Sequence, residues 1–192
     1  MMRKYNTEKP IVYNTLQGYR WDRLDYLKLL NERAKNQGFK LGMKIVRGAY
    51  MEKERERAKK NRYYSPICID KEATDKNFND TLTFILDNLN DISLCIGTHN
   101  EASSYLAMVI MQEKNIAKTD KRVWFGQLYG MSDHISFNLA TAGYNVVKYV
   151  PFGPVKDVMP YLIRRAEENT SVAGQTSREL NLLKEERKRR KM

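Results

Sequence analysis

A tyrosine and two arginines near the carboxy-terminal end of the sequence have the residue types and spacing of a carboxylate-binding site. Tyr161, Arg164 and Arg165 fall at i, i+3 and i+4, so they share one face if this segment is helical. Arginine suits a carboxylate because its planar guanidinium forms bidentate, charge-assisted hydrogen bonds. Glu168 lies one step further along that face and could hold one guanidinium in place. Paired arginines on a helix are also common as solvated side chains, and this plainer interpretation stays open.

A second group of polar and glycine residues falls where predicted β-strands end. Its members are Gln17, Arg47, Gly48, Thr98, His99, Asn100, Gln127 and Tyr149. Barrel enzymes carry their chemistry at this end of each strand, so the group predicts a site there. Each residue also has a plainer role, such as a hydrogen-bonded histidine, a turn glycine or a tyrosine at the edge of the core. His134, in a short helix, is interpreted as a surface or capping residue.

The elements that must position these residues alternate along the chain. Strands are predicted at 11–19, 41–50, 93–97, 122–128 and 145–150, and each is followed by a helical pattern. The last helix is opened by a predicted capping box at Thr176 and Glu179. Five strand–helix units indicate an α/β fold with a parallel sheet, which is compatible with a doubly wound sheet or a barrel. The polar strand ends favour the barrel. Because a complete (β/α)8 barrel has eight units and only five are predicted, the barrel is expected to be partial.

Composition narrows the class of protein further. Hydrophobic residues make up 42% of 192 residues, which is typical of one globular domain. Cys68 and Cys95 lie far apart, so neither a disulfide scaffold nor a metal site is predicted, and a reducing compartment fits. No stretch has the length of a signal peptide core or a membrane span. The net charge of +11 lies largely in a predicted helix from Met51 to Arg62 and in the tail at 184–191. Because acidic and basic residues are interleaved in that helix, it is interpreted as a solvated surface helix, and no nucleic-acid partner is expected.

Several segments together resemble the proline dehydrogenase family. They are LQGY at 16–19, MKIVRGAY at 43–50, THNE at 98–101, FGQLYGM at 125–131, KYVPFGPV at 148–155 and PYLIRRAEEN at 160–169. Their order and spacing are specific, and the resemblance extends from Val12 to Asn181. It implies a distorted (β/α)8 barrel that holds FAD, oxidises L-proline to Δ1-pyrroline-5-carboxylate and passes electrons to a membrane quinone.

The resemblance also implies roles for individual residues. The residues implied to contact FAD are Gln17, Lys44, Val46, Arg47, Gly48, Tyr50, Thr98, His99 and Asn100. The residues implied to bind proline are Leu128, Tyr149 and Tyr161 around the ring, and Arg164 and Arg165 at the carboxylate. Lys44, Tyr149, Arg164 and Arg165 form the implied catalytic set, in which Lys44 stabilises negative charge on the reduced flavin. Tyr149 is expected to favour proline over 4-hydroxyproline.

The first three strands of the family have no counterpart in this sequence. We therefore expect residues 1–173 to form family strands 4 to 8, and residues 174–192 to form a basic helical tail. A truncated reading frame is the favoured explanation, while a split protein and a self-covering assembly are the alternatives. In each case the isolated chain is expected to bind FAD weakly or not at all. The expected location is the cytoplasm, with peripheral contact at the inner face of a respiratory membrane.

Two other functions stay open. The chain could be a non-catalytic barrel remnant that binds partners through its basic tail. Such a module has no need to retain Lys44, Tyr149, Arg164 and Arg165 together. This sequence contains all four, which favours the enzyme. A generic α/β enzyme that uses another cofactor is a weaker alternative, because the sequence contains neither a GxGxxG nor a GxxxxGK[ST] phosphate loop.

Overall fold

A computed structural model describes residues 1–171 and 175–190, without the side chains of residues 166–179, 182 and 183. The strands are β1 (Tyr13–Gln17), β2 (Leu41–Val46), β3 (Ile92–Gly97), β4 (Val123–Leu128) and β5 (Val146–Tyr149). The helices in these ranges are α1 (Met2–Tyr5), α2 (Arg23–Asn36), α3 (Met51–Asn61), α4 (Lys71–Asp87), α5 (Glu101–Glu113), α6 (Asp133–Thr141), α7 (Val155–Ser171) and α8 (Gln175–Arg190). Two compact units, Met1–Tyr149 and Val150–Met192, are described separately below.

The strands form one parallel sheet whose spatial order is the order of the sequence, from β1 to β5. A doubly wound sheet reverses direction at a switch point, so its strand order cannot run sequentially from one edge to the other. Sequential order with helical crossovers is the arrangement of a (β/α)8 barrel. The predicted α/β fold with five such units is therefore confirmed, and the doubly wound alternative is excluded.

One face of the sheet forms the hydrophobic core with the helices. Alternate residues of the central strands, among them Met43, Ile45 and Leu94, are almost completely buried on this face. Leu27 from α2 and Phe78 from α4 are equally buried against them. Burying a side chain of this size contributes roughly 1.5–3 kcal/mol, so this face holds the first unit together.

The first two strands are shorter than the sequence predicts, and α1 was not predicted at all. β1 starts at Tyr13 because the completely buried Asn6 side chain accepts hydrogen bonds from the backbone N–H groups of Ile11 and Val12, at 2.9 and 2.8 Å. β2 ends at Val46, shortly before the chain turns at Gly48, which has a φ of 117°. The predicted strands extend beyond both limits, but these local hydrogen bonds and dihedral angles end the pairing.

Helix caps fix the loops that follow the strands. Asn100 caps α5, since its Oδ1 accepts a hydrogen bond of 2.9 Å from the backbone N–H of Ser103. The side chains of the capping box predicted at Thr176 and Glu179 lie outside the described residues, as does the Glu168 side chain. The boundary predicted between residues 173 and 174 also falls outside them. In the described part of the chain, no helix is long and apolar enough to cross a membrane.

Candidate functional site

The face of the sheet opposite the helices, here called the open face, carries many of the predicted site residues. Strand alternation and the lateral pairing of residues define its members. They are Tyr13, Thr15, Gln17, Gly42, Lys44, Val46, Ser93, Cys95, Gly97, Trp124, Gly126, Leu128, Val147 and Tyr149. Lys44 has the only formally charged side chain in this set, so the open face is cationic.

Two glycines lie at the centre of the open face. Gly97 and Gly126 are paired neighbours on β3 and β4. A Cβ atom at Gly97 would lie 2.9 Å from Val46 Cγ1 and 3.3 Å from Lys44 Cε. Because neither glycine has a side chain, Lys44 can extend sideways from β2 over the sheet. The space above Gly97 is taken by the side chains of Val46 and Lys44.

Lys44 reaches across two strands toward Tyr149. Its Nζ lies 5.3 Å from the centre of the Tyr149 ring, although β3 and β4 separate the strands that carry the two residues. This is the distance of a cation–π contact. Leu128 pairs laterally with Tyr149 and is buried, whereas Tyr149 is half exposed. The carboxyl-terminal end of the open face thus combines a cation, an aromatic ring and an apolar side chain.

Gln17 and Val46 lie beside each other at the same end of the open face. The Tyr19 hydroxyl donates a hydrogen bond of 2.5 Å to Gln17 Oε1, so one end of the amide is already occupied. Cys95 pairs laterally with Lys44. Burial raises the pKa of the Cys95 thiol above its ordinary value, and the Lys44 ammonium partly opposes that shift. Cys95 is therefore a neutral thiol and leaves the positive charge of Lys44 uncompensated.

The Arg47 side chain points away from the open face, toward the helices. Its guanidinium donates to Asp75 Oδ1 at 2.6 Å, to Thr98 Oγ1 at 2.9 Å and to Ser103 Oγ at 2.9 Å. The guanidinium carbon also lies 4.5 Å from the centre of the buried Phe78 ring. The structure therefore brings Arg47 together with α4 and α5, and does not bring its guanidinium together with Lys44.

The run Thr98-His99-Asn100 forms a polar loop after β3. The Thr98 hydroxyl accepts hydrogen bonds from Arg47 and from the backbone N–H of Asn100, the latter at 3.1 Å. His99 Nδ1 lies 2.9 Å from Ser132 Oγ. His134 was interpreted as a surface or capping residue, but its Nε2 lies 2.8 Å from Glu101 Oε1 and the side chain is three-quarters buried. This correction could not be read from the sequence, because helix α5 and strand β4 separate Glu101 from His134 along the chain.

Two further strand-end residues lie elsewhere. Gln127 is buried on the helix side, where its Oε1 accepts a hydrogen bond of 2.9 Å from Ser136 Oγ. Tyr50 lies at the start of α3, with Lys53 Nζ 5.8 Å from the centre of its ring. The second unit carries Tyr161 and Arg165 on α7, and the Arg165 guanidinium carbon lies 5.3 Å from the centre of the Tyr161 ring. The predicted shared face is confirmed for this pair.

Comparison of the chain with models of protein families identifies its family. The family model described as proline dehydrogenase matches residues 1–178. The chain belongs to the proline dehydrogenase family. The predicted resemblance is confirmed.

Curated relatives and solved structures agree with this membership. The chain is 45% identical over 186 residues to proline dehydrogenase 1, mitochondrial, from Homo sapiens, covering 95% of this chain and 31% of that protein. It is 43% identical over 194 residues to hydroxyproline dehydrogenase from Xenopus laevis, covering 99% of this chain and 42% of that protein. The solved structure of proline utilization A from Bdellovibrio bacteriovorus, inactivated by N-propargylglycine, matches with a TM-score of 0.77 and 30% identity, over 83% of this chain and 16% of that one. The chain thus spans about a third of the length of its mitochondrial relatives.

Sequence reasoning missed three residues that shape the site. Asp75 and Ser103 hold Arg47, and Tyr19 holds Gln17. Tyr19 belongs to the LQGY segment, so its position beside Gln17 was visible in the sequence. Asp75 and Ser103 carried no such signal, because both lie on helices distant in sequence from Arg47.

Proposed function

We propose that the chain forms the flavin-binding and substrate-binding part of an enzyme that oxidises L-proline to Δ1-pyrroline-5-carboxylate. The observation that carries the proposal is the approach of Lys44 to Tyr149 on the open face. Membership of the family supports the reaction, and two relatives are named for proline and hydroxyproline dehydrogenation. A solved relative described as having proline bound in remote sites matches with a TM-score of 0.72 at 26% identity.

The open face has properties that suit the flat ring system of FAD. Gly97 and Gly126 carry no side chain and so let Lys44 extend over the sheet, and Gln17 and Lys44 supply hydrogen-bond donors on the same face. When bound, FAD supplies the oxidant that accepts a hydride from the substrate. Lys44 contributes a fixed positive charge that stabilises an electron-rich ring in a partly dehydrated environment. Val46 contributes an apolar contact at the edge of the same surface.

The other flavin contacts of the proposal lie around this surface. Thr98, His99 and Asn100 would hold the adenosine or pyrophosphate side of FAD, because they form the polar loop after β3. Arg47 and Gly48 would contribute through their backbone, since the Arg47 guanidinium is engaged on the helix side. Tyr50 would complete the contacts at the start of α3.

The substrate contacts follow from the chemistry of proline. Proline has an apolar ring and a carboxylate, so its site needs an apolar wall and a cationic clamp. The family resemblance implies Leu128, Tyr149 and Tyr161 as contacts of the ring, and the guanidinium groups of Arg164 and Arg165 as ligands of the carboxylate. Tyr149 would crowd the ring carbon that carries the hydroxyl of 4-hydroxyproline and so favour proline.

The proposal includes partners for this part of the enzyme. Residues 1–173 would form the barrel part and residues 174–192 the basic tail. A quinone would accept the electrons, and peripheral membrane contact would bring that acceptor close. β1 and β5 are the two edges of the sheet among the described residues, and unpaired edges favour further strands as partners. We therefore propose that the chain works as part of a longer or complemented enzyme.

The test is a flavin spectrum of the purified chain, followed by anaerobic addition of L-proline. The chain is measured alone and after co-expression with the amino-terminal segment of a full-length relative. We expect the complemented preparation to hold FAD and its absorption band to bleach with L-proline. The chain alone is expected to hold little FAD. Full bleaching by the chain alone would refute the need for complementation, and bound FAD that never bleaches would refute the reaction.

Matched lysine substitutions test the carboxylate clamp. Arg164→Lys removes the planar guanidinium and its bidentate hydrogen bonds to a carboxylate. We therefore expect the L-proline concentration for half-maximal bleaching to rise about tenfold or more. Arg187→Lys is the control, because Arg187 is exposed on α8 and keeps its charge after substitution. An equal effect of the two substitutions would contradict the assignment of Arg164 to the substrate.

A further inference from the structure

Tyr19 is a buried tyrosine whose hydroxyl is directed at a single side chain. It is 3% exposed and lies just beyond the end of β1. The hydroxyl donates to Gln17 Oε1 at 2.5 Å, at the short limit of O–H···O hydrogen bonds. Burial, with the nearby Glu54 carboxylate, raises the pKa of Tyr19, so the hydroxyl stays protonated and remains a donor.

Gly48 provides the space that the Tyr19 ring occupies. Its φ of 117° favours glycine, and a Cβ atom there would lie 1.5 Å from Tyr19 Cδ1 and 1.6 Å from Cε1. Any other residue at this position would therefore expel the ring. The flat group packed against Gly48 in this structure is the phenol ring of Tyr19.

Backbone hydrogen bonds hold Tyr19 on both sides. Its N–H donates to the carbonyl of Arg47 at 2.7 Å, and its carbonyl accepts from the N–H of Cys68 at 2.8 Å. These bonds fix the Tyr19 backbone, while burial and packing against Gly48 hold the ring. The hydroxyl is consequently held in place as a donor to Gln17.

A fixed donor at Oε1 determines how the Gln17 amide is oriented. With Oε1 bound to the Tyr19 hydroxyl, the NH2 group of the amide faces the other way, and among the described residues Nε2 has no hydrogen-bond partner. We propose that Tyr19 is a positioning residue that holds the Gln17 NH2 group toward the open face as a donor for a bound planar ligand. The identity of that ligand as flavin rests on the function proposed above.

The orientation itself can be tested without any cofactor. The side-chain amide signals of Gln17 are recorded by nuclear magnetic resonance in the 15N-labelled, flavin-free chain and identified by their loss in Gln17→Leu. We expect slow rotation and two resolved proton shifts in the native chain. In Tyr19→Phe, which keeps the ring, we expect the shifts to change and the amide to rotate more freely. Unchanged Gln17 signals in Tyr19→Phe would overturn the inference.

A matched control separates positioning from a general loss of packing. Tyr144 is a second buried tyrosine, packed against Phe125 with ring centres 5.5 Å apart and away from the open face. Tyr144→Phe is expected to leave the Gln17 signals at their native shifts. Gly48→Ala, which expels the Tyr19 ring, is expected to reproduce the Gln17 shifts of Tyr19→Phe. A Gly48→Ala chain with native Gln17 signals would also count against the inference.

The consequence for the ligand is measured by titration of FAD, in the preparation that retains it. We expect Tyr19→Phe to weaken FAD binding about tenfold, which is the loss of one oriented hydrogen bond. Gln17→Glu keeps the acceptor for Tyr19 but lacks the NH2 group, so the same loss is expected. If the complemented native preparation binds no FAD, the proposed function fails, while the Gln17 signals still decide the inference. If Tyr19→Phe binds FAD as the native protein does, the proposed donor to the ligand is wrong.

Discussion

The hydrogen bonds of Arg47 predict that this residue stabilises the fold through its side chain. In Arg47→Met, the long apolar part of the side chain is kept and the guanidinium is removed. Asp75, Thr98 and Ser103 each lose a donor at 2.6–2.9 Å. Hydrogen bonds to charged groups contribute about 1.5–3 kcal/mol each when well buried.

The expected loss is smaller than the sum of three such bonds. The Arg47 and Asp75 side chains are 23% and 25% exposed, so water replaces part of each interaction. Asp75 also keeps its ion pair with Lys71 on α4. We therefore expect Arg47→Met to lower the free energy of unfolding by about 2–4 kcal/mol. Arg47→Lys should lower the free energy of unfolding by roughly half as much, because a single ammonium replaces only some of the hydrogen bonds that the guanidinium donates.

Urea unfolding followed by circular dichroism measures this loss. Arg57→Met is the control, since Arg57 is exposed on α3 and its replacement should change stability by less than about 0.5 kcal/mol. A double-mutant cycle with Asp75→Asn should show a coupling energy of about 1 kcal/mol or more. If Arg47→Met is as stable as the native chain, the network is not a stabilising one. The guanidinium would then be available to a ligand, as the family resemblance implies.

Two further predictions concern stability. Hydrogen bonds from Arg20 and Arg23 hold the pKa of Asp22 well below its ordinary value, so their stabilisation is present above a pH of about 4 and is lost as the pH falls further. Asp22→Asn should therefore flatten the decrease of thermal stability below that pH, and an unchanged slope would contradict the pairing. Asn6→Ala should lower the free energy of unfolding by about 2–4 kcal/mol in urea, because the buried side chain makes four hydrogen bonds. Asn61→Ala, an exposed control with one such bond, should change it by less than about 0.5 kcal/mol.

The alternation of strands and helices was predictable because it depends on local patterns. Apolar residues alternate or run continuously through each strand, and glycine or polar residues interrupt them between elements. The choice between a barrel and a doubly wound sheet was not predictable in this way. Strand order is a property of the whole sheet, and the sequence signal that favoured the barrel was only the polar character of the strand ends.

The site was predictable to a different degree at different residues. Strand alternation alone puts Lys44 and Val46 on one face of their strand, and the structure brings both beside Gly97, with Gln17 next to Val46. The direction of the Arg47 side chain depends on Asp75, which approaches only after α4 packs on the sheet. The resemblance supplied motif positions for both kinds of residue, but it did not distinguish a side chain that faces the ligand surface from one that faces the helices.

The sequential order of the strands has a consequence for how the chain acquires its structure. Each later strand pairs with the strand that precedes it in the sequence, so no pairing skips an intervening strand. Each pairing still closes a crossover of 21 residues, as from Phe125 to Val146, to 51 residues, as from Leu41 to Ile92, so the sheet is expected to form more slowly than a fold of local contacts. During synthesis, β2 can add to β1 once β2 itself has left the ribosome, and each later strand can extend the same growing edge. The open face is therefore assembled one strand at a time, with Lys44 in place before Tyr149 is made.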